Sequence, residues 1–155
     1  MNAANPFVFS KLFTDLTGRK VNVVAADDMC QTHCPKAYGL FDIAGSEDTI
    51  LIKMDLALLG SLGGVLVGIP EALVKQQVAQ QSLDEMLRDA MHEVLNITSS
   101  VLLRSRRAVL RRMLTDANTG EALCSDFLNE PHSQRRFHAT MAGYPSGELC
   151  VFTKL

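Results

Sequence analysis

The sequence predicts an α+β fold of two layers, with a mainly antiparallel sheet and one long central helix. Three observations carry that expectation. Residues 84–115 form a run without Gly or Pro, rich in helix formers, and it is the longest helix the chain can support. Strand-like runs fall in two groups of three, one before and one after this helix, with short connections that favour antiparallel pairing. Each group follows a helix, so the chain divides into two pseudo-repeated units of one helix feeding three strands.

Asn5 followed by Pro6 gives an N-cap with proline in the first turn, and Phe7, Leu12, Phe13 and Leu16 make a short amphipathic helix that stops at Gly18. Residues 20–25, 37–43 and 49–54 are the first three strands, with 27–36 a loop and 44–48 a turn. Asp55 is placed to cap a glycine-containing, largely buried helix over 56–67. Pro70 restarts a short helix towards Gln77, and the glutamine-rich residues after it form a polar connector. Ser82 and Glu85 have capping-box spacing at the start of the long helix. Beyond that helix, 118–120 is a turn, 121–128 a strand, and 134–142 and 148–154 a pair joined by the turn at Tyr144-Pro145-Ser146-Gly147.

On a helical wheel the long run places Leu87, Ala90, Met91, Val94 and Ile97 on a core arc. Asp89, Glu93, Asn96 and Ser100 stack three and four apart on the opposite side, as one polar ridge. Such a ridge is either a solvated face or a surface presented to a partner. Arg104, Arg106, Arg107, Arg111 and Arg112 would complete the C-terminal end of this helix, where cations suit the dipole. They encircle the helix on the wheel and lack interleaved aromatics, which argues against nucleic-acid binding.

The chain has 155 residues, 47% of them hydrophobic and 21% charged, with a net charge of −2. That is enough for one domain spanning 1–155 with a substantial core, and it does not supply the basic surface of a nucleic-acid binder. The start of the sequence lacks a basic leader and an apolar signal core, and the apolar run 56–69 is shorter than the ~20 residues that span a bilayer. A soluble, cytoplasmic protein without membrane attachment is expected. Cys30, Cys34, Cys124 and Cys150 are then expected as thiols. Cys30, His33 and Cys34 sit close together but lack the spacing and the second ligand pair of common zinc sites, so the bland reading is a loop before Pro35. The histidines at 33, 92, 132 and 138 pair with no serine or cysteine in a catalytic pattern.

Two stretches carry a family resemblance. The segment 59–71, LGSLGGVLVGIPE, followed after a polar spacer by Asp89-x-x-x-Glu93-x-x-Asn96-Ile97, resembles the CheC/CheX/FliY family of chemotaxis phosphatases. A fragment over 12–21 is similar to the end of that family's first helix. Only one E-x-x-N occurs, as in the single-motif CheX branch, which forms homodimers. Ser100 stands where relatives often carry glycine, and no proline follows Asn96 until Pro131.

The resemblance implies hydrolysis of the aspartyl phosphate on a CheY-like response-regulator receiver domain. Asn96 would orient the attacking water and Glu93 would anchor to the receiver's lysine, with Asp89 as support. Mg²⁺ would reside on the receiver, leaving no cofactor or metal in this chain. The other reading is a non-catalytic CheC-like module used for binding or dimerisation in two-component signalling.

Overall fold

A computed structural model describes residues 4–26 and 34–154. Cys30 and His33 lie outside the described residues, as does most of the loop expected at 27–36. The elements in chain order are α1 (Pro6–Thr17), β1 (Val21–Ala25), β2 (Lys36–Ile43), β3 (Thr49–Asp55), α2 (Leu56–Val67), α3 (Glu71–Gln80), α4 (Glu85–Thr98), β4 (Ala108–Leu114), α5 (Ala117–Leu128), β5 (His132–Met141) and β6 (Gly147–Lys154). A turn of 3₁₀ helix, Ser99–Val101, follows α4.

All six strands join one antiparallel sheet in the order β1-β5-β6-β3-β2-β4. Exchanging β1 with β4, β2 with β5 and β3 with β6 returns the same order read backwards. The two pseudo-repeated units are therefore related across the β3–β6 seam, where Ile52 lies opposite Val151. The expected α+β class and its antiparallel sheet are present.

Alternation along the strands divides the core. Ile50, Ile52 and Met54 of β3, with Leu149 and Val151 of β6, face α1, α2 and α4 in the main core. Tyr38, Leu40, Leu51, Cys150 and Phe152 point the other way, onto Cys124 and Phe127 of α5. Helix α1 begins as expected: Asn5 Oδ1 accepts from Val8 N at 2.9 Å, and the helix ends at Gly18 with φ +68°.

Three expectations are corrected. The long helix stops at Thr98, because Thr98, Ser99 and Ser100 turn their hydroxyls back onto the carbonyls of Val94, Asn96 and Ile97 at 2.7, 2.5 and 2.8 Å. These local bonds occupy acceptors at the helix end and compete with further turns. Residues 108–114 are strand β4, so Arg111 and Arg112 belong to the sheet edge, while Arg104, Arg106 and Arg107 lie in the connecting loop.

Residues 117–128 form a helix where a turn and a strand were expected. Asp116 caps it through Thr119 N at 3.0 Å, and Gly120, Cys124 and Phe127 are buried at helical spacing. The caps of two other helices also differ. Asp84, not Ser82, caps α4 by accepting from Leu87 N at 2.9 Å. Asp55 makes no side-chain cap to α2, since its carboxylate is held by Lys36 and by Glu148 N.

Candidate functional site

Helix α4 positions the polar ridge. Leu87, Ala90, Met91, Val94 and Leu95 are buried on its inner side, which fixes the rotation of the helix on the sheet. Its depth is set by α2. A Cβ on Gly63 would stand 3.1 Å from Met91 N and 3.2 Å from the Ala90 carbonyl carbon, so this glycine lets the two helix backbones approach. The apolar, glycine-bearing stretch at 59–64 is thus the bed on which the ridge rests: Leu59, Gly60, Leu62, Gly63 and Gly64 are all buried.

The outer side carries Asp89, Glu93, Asn96 and Ser100, all exposed as the wheel requires. Glu93 and Asn96 are one turn apart, which puts their Cβ atoms about 5–6 Å from each other. Among the described residues, the side chains of Asp89, Glu93 and Asn96 make no hydrogen bond or ion pair. The donor and acceptor atoms of the asparagine amide, and the carboxylate oxygens of Glu93, therefore face solvent with their bonding capacity uncommitted.

Two hollows flank this ridge. The first, of about 720 Å³, has Val67, Met86 and Ala90 among its apolar lining and Asp84, Asp89 and Glu93 at its rim. Met86, on its lining, is 63% exposed. The second, of about 500 Å³, has Asn96, Ser99, Ser100 and the arginines 104, 106 and 107 in its wall. Glu93 and Asn96 thus open onto different hollows. The sequence reading missed the second one because it continued the helix through the arginines; the signal was Thr98-Ser99-Ser100, three hydroxyl residues in succession.

Other chemistry-bearing groups lie away from the ridge. Tyr38 Oη donates to Glu121 Oε2 at 2.6 Å, and Lys53 Nζ lies 2.9 Å from the same carboxylate. Burial, then the bond to Glu121, pushes the Tyr38 hydroxyl well above the usual tyrosine range. Burial tends to raise the Glu121 pKa, but the hydrogen bonds from Tyr38 and Lys53 prevail and hold it below the usual carboxylate range. Burial and the nearby Glu121 carboxylate raise the Cys124 thiol to about 12. Cys34 is an exposed free thiol, and Cys124 and Cys150 are buried free thiols. Among the described residues no group of three His, Cys, Asp or Glu could hold a metal ion, and no helix is long and apolar enough to cross a membrane.

No family model matches the sequence, and no curated protein does. Solved structures do. The middle domain of FliM from Vibrio alginolyticus superposes with a TM-score of 0.65 at 11% identity, over 95% of this chain and 86% of that one. FliM from H. pylori, in a structure described as a FliM–SpeE complex, gives 0.71 at 10% identity, over 96% and 81%. Thermotoga maritima FliY gives 0.56 at 12% identity, over 94% and 81%. At these identities the shared property is the fold. The chain has the fold shared by these FliM and FliY structures.

Proposed function

We propose that this protein hydrolyses the aspartyl phosphate of a CheY-like response-regulator receiver domain. The observation that carries the reading is the pair Glu93 and Asn96, exposed one turn apart on a single helix face and, among the described residues, without an intramolecular side-chain partner. The Asn96 amide holds a water in line with phosphorus; the water oxygen forms the new P–O bond as the bond to the receiver aspartate breaks. Phosphate leaves and the aspartate returns to its carboxylate. Phosphoryl transfer of this kind requires positioning and charge stabilisation and needs no covalent intermediate on this chain. Glu93 pairs with the receiver's lysine and fixes the docked orientation, with Asp89 one turn earlier adding to the negative field. The receiver contributes its own Mg²⁺.

A second reading has a specific observation behind it. Two FliM structures give TM-scores of 0.65 and 0.71, and one of them is described in complex with SpeE. A domain of this fold that binds a protein partner, or a second copy of itself, without turnover is that alternative.

The deciding experiment follows the decay of phosphorylated receivers from the same organism, in Mg²⁺, with and without the protein. Accelerated decay that falls at least ~100-fold in Asn96→Ala and in Glu93→Ala, the scale of a lost positioning contact, supports the phosphatase. Unaccelerated decay across the receivers, with binding retained, supports the docking module.

A further inference from the structure

The hollow beyond Asn96 has chemistry that the Glu93–Asn96 pair does not use. Arg104, Arg106 and Arg107 are exposed there, and among the described residues none has a carboxylate partner. Arg111, a few residues on, shows the contrast: its guanidinium is tied to Asp42. The loop that presents the three is anchored at both ends. Leu102, Leu103 and Ala108 are buried, and the Arg107 carbonyl accepts from Ala44 N at 2.8 Å. Gathering like charges without a counter-ion is unfavourable for the free protein, and it favours an anion that bridges them.

The ridge is therefore of two signs. Asp84, Glu85, Asp89 and Glu93 lie on one side of Asn96, and the three arginines lie on the other. We propose that the 104–107 loop is an anion clamp that grips the phosphoryl oxygens of the partner's phosphoaspartate while the partner is seated on α4. The proposal rests on the phosphatase reading of that helix. Guanidinium groups offer planar, paired donors to phosphoryl oxygens and stabilise the charge that spreads over them during transfer.

The test uses wild-type protein and the variant Arg104→Ala/Arg106→Ala/Arg107→Ala. Binding is measured to a CheY-like receiver both bare and loaded with beryllofluoride and Mg²⁺ as a phosphoryl mimic, and phosphate decay is followed in parallel. The variant should keep the wild-type circular dichroism spectrum, lose at least ~10-fold in affinity for the loaded receiver, keep its affinity for the bare one, and lose at least ~10-fold in kcat/KM. Equal losses for both receiver forms would mean that the arginines grip carboxylates on the partner surface, which overturns the clamp. Unchanged affinity and turnover in the variant overturn the clamp and leave the phosphatase standing. Wild-type protein that accelerates no receiver overturns the phosphatase reading and the clamp with it.

Discussion

At Gly120 helix α5 packs tightly on the sheet. A Cβ there would stand 2.2 Å from the Tyr38 ring, which is itself only 1% exposed and held by its bond to Glu121. Gly120→Ala should therefore destabilise the protein by about 1–3 kcal/mol through overpacking, despite the better helix propensity of alanine. Urea unfolding monitored by circular dichroism measures it; a midpoint equal to that of the wild type would show that the ring can move aside. The same contact explains why Asn118-Thr119-Gly120 resembles a turn in sequence. The glycine is there for the ring of Tyr38, and the three residues are the first turn of a capped helix.

At the scale of the element, α4 is held by its first turn. Asp84 accepts from Leu87 N, and Gln77 embraces the same residue, donating to Oδ2 at 2.9 Å and accepting from its backbone N at 2.8 Å. Asp84→Ala removes the cap and leaves the buried Gln77 amide without its acceptor, at a cost of about 1–2 kcal/mol. Chemical denaturation should show a lower midpoint at unchanged slope, and an unaltered midpoint would mean that water replaces both contacts.

The exposed placement of Glu93 and Asn96 and most of their inner neighbours were legible in the sequence because they share one 14-residue helix, although the core takes Leu95 and leaves Ile97 half-buried. So were the strands of the first unit, apolar runs of which the first follows Gly18 and the other two flank the turn at Gly45. Residues 99–128 were not. Val109, Leu110, Met113 and Leu114 satisfy a helical period as readily as a strand, and a bulge at Arg111 breaks the alternation opposite Leu40 and Phe41. The arginine loop was hidden for the same reason: only tertiary pairing of β4 with β2 pulls it off the helix axis and beside Asn96.

On the scale of the whole molecule, the protons on α5 and its facing strand set the alkaline limit. Unfolded cysteine and tyrosine ionise at about 8.5 and 10, whereas folded Cys124 keeps its proton to about 12 and Tyr38 keeps its own well above the usual value. Above those unfolded values the native state binds more protons than the unfolded one, so stability falls as pH rises. Unfolding free energy measured between pH 8 and 11 should decline, and Cys124→Ala should flatten the first part of that decline; an unchanged slope in the variant would remove the thiol from the account.

The palindromic strand order has a consequence for how the chain reaches its native state. The first strand of each unit is lodged in the other: β1 pairs with β5, Val21 lying opposite Met141, and β4 pairs with β2. Neither unit can complete its sheet alone, much as two partners that have exchanged an arm cannot separate without unfolding. On the ribosome β1 waits for every element from β2 to α5 to emerge before it meets its neighbour β5. Its apolar residues Val21 and Val23 are then covered only by α1, so folding is dominated by late, non-local closure and α1 must act as a temporary shield.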